Sequence, residues 1–175
     1  MTNVKGGAGS HSHLCGENHY KMDNASYYEV SLQWEEGRKG QVSSPVLNDS
    51  IQVATPPEFA KGIAGIWSPE HLLVAAVDSC FMTTFLAIAE NSGLEFLQFE
   101  SKALGKLEKV DGKYLISEIR LSPRLVIKKE GLREKALKVL EKSEAACLIS
   151  NSVRSRIVVM PEIIVTETSL IRQEQ

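Results

Sequence analysis

Apolar and polar residues alternate in the first part of the chain, as they do in a half-buried strand. Within 27–34, the apolar residues on one face are Tyr28, Val30, Leu32 and Trp34. Two shorter segments, 41–44 and 51–55, are expected to extend the sheet, with turns at 36–40 and in the Leu-Asn-Asp-Ser segment. The Thr-Pro-Pro-Glu-Phe segment that follows is expected to cap a short helix.

A long helix comes next, and the sequence indicates both of its ends. Ser68 is a favourable N-cap, Pro69 suits the first helical position, and the charge of Glu70 favours the positive end of the helix. Gly93 is a typical stop, so the helix is expected to run to about Asn91. It is apolar on nearly all sides, which predicts a central helix surrounded by the rest of the fold.

The remaining elements are two long strands, a second helix and a last strand. Asp111-Gly112 is a good hairpin turn between the two long strands. Pro161 would place the last strand at a sheet edge or a bulge. The expected bounds are 94–109 and 113–128 for the long strands, 131–146 for the helix and 156–166 for the last strand. This order predicts an α+β fold with a largely antiparallel sheet.

The composition narrows the class of protein. With 175 residues the chain suits one domain, which we expect at 26–175 after a flexible tail at 1–25. A net charge of −2 provides no basic face for nucleic acid. Three cysteines and no secretory leader fit a reducing cytoplasm. Asp78 and two threonines interrupt the longest apolar run, which favours a buried core helix over a membrane span.

The tail carries a group of metal-ligand residue types. His11, His13, Cys15 and His19 lie within nine residues. Their spacing matches no closed metal motif and no core residues preorganise them, so we expect a disordered tail and no metal site.

Cys80 and Cys147 are the most informative residues, because each lies in an apolar segment. Buried cysteines are often inert core residues, and this interpretation stays open. The alternative is paired thiol chemistry, in which a thiolate attacks a peroxide, an arginine stabilises the anion, a carboxylate holds the arginine, and a second thiol traps the sulfenic acid. Candidates for all four roles are Cys80, Arg38, Glu70 and Cys147.

Three motifs, in this order, resemble the OsmC/Ohr family of thiol-dependent hydroperoxide reductases across about 27–166. They are Gly37-Arg38-Lys39-Gly40, then Ser68-Pro69-Glu70-His71-Leu72 with Ser79-Cys80-Phe81 ten residues on, and Cys147-Leu148-Ile149-Ser150-Asn151. The chain departs from the family at Leu148, where proline is frequent, and at Asp78, two residues before the first cysteine. An i−2 residue points about 200° away on a helix, so Asp78 is not expected against the thiol.

The resemblance implies an OsmC-like fold, with a mostly antiparallel sheet around a long central helix, in an intertwined homodimer with its sites at the interface. It implies that Cys80 is peroxidatic, Cys147 is resolving, and Arg38 and Glu70 activate the thiol. It also implies an organic hydroperoxide substrate, a Cys80–Cys147 disulfide, and a dithiol reductant of the lipoyl type. Neither a metal nor another cofactor is required, and neither a membrane nor nucleic acid is expected as a partner.

Spacing on the helix bears on the assembly of such a site. Ten residues of straight helix separate Glu70 from Cys80 by about 15 Å. Either the helix breaks, or Glu70 serves the other subunit's Cys80, or Arg38 bridges the gap. Ser150 and Asn151 are expected to satisfy backbone groups after the second helix.

A second hypothesis is a dimeric module that binds an apolar small molecule without turnover. Asp78 and Leu148 favour it, and thiols too far apart to pair would support it. For the peroxidase, the apolar walls of the site are expected to be Trp67, Leu72, Phe81 and Phe85, which would favour bulky organic peroxides over hydrogen peroxide.

Overall fold

The computed structural model describes residues 25–166, and 1–24 and 167–175 lie outside the described part. The proposed tail and its histidines and Cys15 therefore fall almost entirely outside it. The strands are β1 (Ser31–Glu36), β2 (Lys39–Ser43), β3 (Ile51–Ala54), β4 (Gln98–Val110), β5 (Lys113–Ile127), β6 (Arg156–Val159) and β7 (Glu162–Val165). The helices are α1 (Pro69–Ser92) and α2 (Arg133–Ala146), with 3-10 turns at Glu130–Leu132 and Ser150–Ser152.

The strands form two sheets. The first is the antiparallel sheet β1-β2-β3, and the second is built on the antiparallel β4–β5 hairpin, to which β6 and β7 add in parallel. The predicted order of three strands, helix, two strands, helix and strand is confirmed, as is the α+β class with a mostly antiparallel sheet.

Pro161 interrupts the last strand without changing its register. Arg156 pairs with Glu118 and Glu162 pairs with Arg124, so the same offset along β5 holds before and after the interruption. Proline cannot donate to the ladder, which splits the predicted strand into β6 and β7. Both lie at the edge of the sheet, as expected from Pro161.

The two ends of α1 form as the sequence predicts. The Ser68 side chain accepts a hydrogen bond from the His71 N–H, and Pro69 occupies the first turn. At the other end Gly93 adopts a left-handed conformation with φ of 59°, and the Leu94 N–H bonds the Ala89 carbonyl at 2.9 Å. Glycine fits this position because it has no Cβ penalty there.

The core lies where α1 crosses the second sheet. Val77, Phe81, Phe85 and Ala89 recur every four residues and form the buried stripe of α1. Phe85 stacks on Phe99 of β4 with ring centroids 4.5 Å apart. The inward side chains that β5 contributes to the same cluster are Ile119, Leu121, Leu125 and Ile127, and α2 adds Ala136, Val139 and Leu140.

Residues 25–166 leave the opposite side of α1 exposed, which differs from the prediction of a fully surrounded helix. Met82 is 39% exposed and Leu86 is 41% exposed. By length and composition alone, α1 could also cross a membrane. In the structure, 22% of its most apolar stretch of 18 residues is buried. Because its buried stripe packs on the sheet, we interpret α1 as the central helix of the fold, with one apolar side left without a neighbour.

The first sheet is joined to the start of α1. The Ala54 N–H donates to the Trp67 carbonyl at 2.8 Å, and Val53 and Trp67 form a parallel bridge. Its β1 strand presents Leu32 and Trp34 to solvent. The apolar face predicted for this strand therefore exists, and it has no cover within the described chain.

The starts of two strands differ from the prediction, each because of a local backbone constraint. Strand β1 starts at Ser31 rather than at 27, since Ser31 pairs with Ser43 and the chain beyond Ser43 turns at Pro45, which has no N–H. Strand β4 starts at Gln98 rather than at 94, because Leu94 completes the helix cap.

The segment expected to begin a short helix, 55–59, forms turns instead. The Phe59 N–H bonds the Pro56 carbonyl at 3.1 Å, and the Gly62 N–H bonds the Phe59 carbonyl at 2.9 Å. Two adjacent prolines supply no N–H groups, and Ile63 returns to bond the Thr55 carbonyl.

Substitution of Gly105 should reveal the close approach of α1 to β4. A Cβ at Gly105 would lie 2.5 Å from Val74 Cγ2, whereas a Cβ at Gly131 would meet nothing within 4 Å. We expect Gly105→Ala to lower the free energy of unfolding by about 1–3 kcal/mol through overpacking, and Gly131→Ala to leave it nearly unchanged. Urea unfolding of both variants tests this, and equal midpoints would contradict it.

Candidate active site

The fold brings Cys80 and Cys147 together, although 66 residues lie between them in the sequence. Cys80 lies midway along α1, and Cys147 caps the C-terminal end of α2. The two helices pack against each other, which places the thiol of Cys147 within hydrogen-bonding reach of the Cys80 sulfur. Both are free thiols, with Cys80 partly exposed and Cys147 fully buried.

The loop that follows α2 supplies hydrogen bonds to Cys80. The Ile149 N–H donates to Cys80 Sγ at 3.5 Å, and the Leu148 N–H and the Thr84 hydroxyl also lower the pKa of the thiol. Burial by itself would raise the pKa of the Cys80 thiol, but these donors together with Cys147 outweigh it. The pKa of Cys80 therefore lies below the ordinary value of a cysteine, which favours the thiolate.

Cys147 has the opposite character. Burial raises the pKa of the Cys147 thiol, and the neighbouring Cys80 raises it further. The N–H of Ser150 lies 3.5 Å from Cys147 Sγ, and the Ser150 hydroxyl partly offsets the rise. Of the pair, Cys80 is thus the thiol that ionises more readily and Cys147 the one that ionises less readily.

Ser150 and Asn151 differ in how far they meet the expectation of backbone capping. The Asn151 side chain donates to the Ala145 carbonyl at 3.0 Å, as predicted. The Ser150 hydroxyl is buried without a hydrogen-bond partner among residues 25–166, so it satisfies no backbone group.

Asp78 does not act on the thiol. Its Oδ1 accepts a hydrogen bond of 2.6 Å from Ser101 on β4, so the carboxylate is directed at the sheet. The main influences on the pKa of Cys80 do not include Asp78. This agrees with the helical geometry of the sequence analysis and removes one objection to a reactive Cys80.

Arg38 and Glu70 lie at the other end of α1. Arg38 is exposed in the turn between β1 and β2, beside a groove of about 220 Å³ that Pro69 and Trp34 also line. Glu70 is in the first turn of α1, and its Oε2 is buried without a hydrogen-bond partner among residues 25–166. Because α1 runs unbroken from Pro69 to Ser92, a helix break cannot bring Glu70 to Cys80.

Two of the four residues expected to wall the site are in the core. Phe81 and Phe85 have no exposed surface, because they belong to the stripe of α1 that packs on the sheet. That part of the prediction is wrong. Trp67 is half-exposed and Leu72 is partly buried, both near the start of α1. Leu148, which follows Cys147, is an accessible apolar residue of the loop that contacts Cys80, and it is 68% exposed.

The structure adds site groups that the sequence analysis missed. The N–H groups of Leu148 and Ile149 have no signature in the sequence, since every residue except proline carries one. Thr84 follows Cys80 by one helical turn, and that i,i+4 spacing was the available signal. Within residues 25–166, no cluster of three or more histidine, cysteine or acidic side chains is arranged to hold a metal ion.

Comparison with known proteins identifies the family and the fold. A family model described as OsmC-like protein matches residues 62–162, which is more than half of the chain and includes both thiols. The chain belongs to the OsmC-like protein family. A curated relative in Bacillus subtilis, the uncharacterized protein YmaD, is 24% identical over 136 residues, which cover 75% of this chain and 89% of YmaD.

Solved structures share the OsmC-like fold. An OsmC-like protein of unknown function from Vibrio cholerae superposes with a TM-score of 0.71 at 21% identity, covering 78% of this chain and 99% of its own. An organic hydroperoxide resistance protein from Elizabethkingia anophelis gives a TM-score of 0.66 at 20% identity, covering 83% and 100%. The OhrB protein of Bacillus subtilis gives 0.59 at 24% identity, covering 78% and 97%.

The two thiols should differ in their alkylation by iodoacetamide. Because the pKa of Cys80 is lowered and that of Cys147 is raised, Cys80 should react at neutral pH faster than an ordinary cysteine and Cys147 more slowly. The rate at Cys80 should fall only when the pH drops through its lowered pKa. Peptide mapping of the reduced protein across a pH series measures both rates, and equal profiles would refute the assignment.

Proposed function

We propose that this OsmC-like protein is a cytoplasmic thiol peroxidase that reduces organic hydroperoxides. The observation that carries the proposal is the meeting of a thiol of lowered pKa, Cys80, with a second buried thiol, Cys147. The hydroperoxide resistance proteins among the structural neighbours support the same class of substrate.

The first step would be attack by the Cys80 thiolate on the distal oxygen of a hydroperoxide, ROOH. A sulfur–oxygen bond forms while the oxygen–oxygen bond breaks, so Cys80 becomes a sulfenic acid and the peroxide leaves as an alkoxide. The alkoxide takes a proton and is released as the alcohol. Arg38 would stabilise the leaving oxygen, with Glu70 orienting its guanidinium.

The second step would convert the sulfenic acid of Cys80 into a disulfide. Cys147 attacks the sulfenic sulfur of Cys80, and its thiol proton passes to the departing hydroxyl, so that a disulfide forms and water leaves. An external dithiol, of the lipoyl type that the family resemblance suggests, would then exchange with the disulfide and leave as its own cyclic disulfide. These steps require no metal or other cofactor.

Arg38 and Glu70 reach Cys80 in this proposal through a homodimer. Within one chain both residues lie at the N-terminal end of α1, which is unbroken. Glu70 is therefore about 15 Å from Cys80 along the helix axis. Among residues 25–166, no side chain packs over the apolar side of α1 around Met82 and Leu86 or over the exposed apolar face of β1. A second copy would cover these surfaces and bring its own Arg38 and Glu70 to the thiol pair.

The alternative, a dimeric module that binds an apolar molecule without turnover, keeps Leu148 in its favour and loses the support of Asp78. Asp78 is engaged by Ser101 and does not oppose the thiolate. The thiols approach each other, whereas this alternative predicted thiols that cannot pair. A co-purifying apolar ligand with no turnover would restore it.

Peroxide consumption by the reduced protein with excess dithiol tests the proposed activity. We expect turnover of cumene hydroperoxide to exceed that of hydrogen peroxide. Cys80→Ser should abolish turnover, because Cys147, the other thiol among residues 25–166, has a raised pKa. Cys147→Ser should become over-oxidised to the sulfinic acid at Cys80, as seen by mass spectrometry. Turnover that persists in Cys80→Ser would overturn the assignment of the nucleophile.

Heterodimers carrying two tags test whether Arg38 acts across the interface. One heterodimer pairs an Arg38→Ala subunit with a Cys80→Ser subunit, so a site completed across the interface should retain about half of the wild-type activity. The matched control places both substitutions in one subunit opposite a wild-type subunit, and it should be inactive. Action within one chain reverses the two results, and a fully active Arg38→Ala homodimer would remove Arg38 from the mechanism.

A further inference from the structure

The loop Cys147–Ser150 directs successive main-chain N–H groups at the two sulfur atoms. The Ile149 N–H lies 3.5 Å from Cys80 Sγ, and the Ser150 N–H lies 3.5 Å from Cys147 Sγ. The Leu148 N–H is the preceding donor in the same loop, and it also lowers the pKa of Cys80. A single loop of four residues therefore supplies separate donors to the two sulfurs.

The loop is held in this conformation by hydrogen bonds of its own. The Asn151 N–H bonds the Cys147 carbonyl at 3.1 Å, and the Ser152 N–H bonds the Ile149 carbonyl at 3.0 Å. The Asn151 side chain ties the loop to the Ala145 carbonyl. Since these contacts do not depend on the charge of the sulfur, the donors are in place before the thiol ionises, and little reorganisation accompanies the ionisation.

The groups with the largest effect on Cys80 carry no fixed charge. They are the two N–H groups, the Cys147 thiol and the Thr84 hydroxyl. Arg38 of the same chain is at the other end of α1, and Asp78 is directed at β4. We propose that the main-chain N–H groups of Leu148 and Ile149 form a cradle that holds the Cys80 sulfur as the thiolate.

This cradle depends on which residue follows Cys147. The Leu148 side chain is 68% exposed, so its contribution to the thiol comes from its main chain. Proline, which is frequent at this position in the family, has no N–H to donate. The cradle deepens the proposed peroxidase function and rests on it for its purpose, although the state of the thiolate can be measured without any peroxide.

Leu148→Pro removes one donor of the cradle with little demand on the backbone. Cys147 has φ of −66° and ψ of 114°, an extended conformation that suits the residue before a proline. We expect iodoacetamide to alkylate Cys80 about tenfold more slowly at neutral pH in this variant, the effect of losing one hydrogen bond to a charged sulfur. Leu148→Ala keeps the N–H and should keep the wild-type rate at Cys80. A folded Leu148→Pro protein with an unchanged rate would overturn the cradle.

A measurement on the wild-type protein covers the case in which Leu148→Pro fails to fold. In a nitrogen-15-labelled reduced sample, the amide resonances of Leu148 and Ile149 should shift with the lower of the two thiol titrations. The Asn151 amide, which bonds a carbonyl, should shift much less. Absence of this titration at Leu148 and Ile149 would contradict the cradle. If both amides titrate in a protein that consumes no peroxide, the cradle stands and the proposed activity falls.

Discussion

The stripe of Val77, Phe81 and Phe85 holds α1 against the β4–β5 hairpin, and this contact fixes the rotation of the helix about its own axis. Adjacent helical residues differ by about 100°, so Cys80 lies at the margin of the stripe that buries Phe81. It is neither sealed in the core nor free in solvent. At that margin it meets the loop after α2, which the same core anchors through Val139 and Leu140.

The elements that the sequence predicted well are those with a local cause. Ser68 caps α1 with its own side chain, Gly93 ends it through its own φ, and Asp111-Gly112 turns the hairpin. The start of β1 was missed because it depends on Pro45 in a partner segment. Phe81 and Phe85 were assigned to a cavity wall because a helix that is apolar on every side does not show which face the sheet will cover.

The candidate site divides in a similar way. The proximity of Cys80 and Cys147 was expected from residues that resemble a family, and the packing of α1 on α2 provides it. The donors to Cys80 were not foreseeable from side-chain types, since they are main-chain groups. Two glutamates of the fold, Glu70 and Glu118, differ in their surroundings. Glu118 is buried and accepts hydrogen bonds from Arg120 and Arg156. Glu70 has a buried oxygen with no hydrogen-bond partner among residues 25–166. The described part of the chain thus supplies hydrogen bonds to the carboxylate of Glu118 but not to the buried oxygen of Glu70.

The parallel pairing of β6 and β7 with β5 has a consequence for how the thiol pair comes into being. Parallel neighbours cannot be joined by a tight turn, so the chain leaves β5, passes through α2 and returns to the sheet edge after the Cys147 loop. Cys147 thus belongs to a crossover whose two ends are fixed only when the last strand has docked. Such long-range pairing forms late, because its loop-closure entropy must be met first. Packing of α1 on α2 brings the two thiols together, and completion of the sheet by β6 and β7 then fixes the far end of the crossover that carries Cys147.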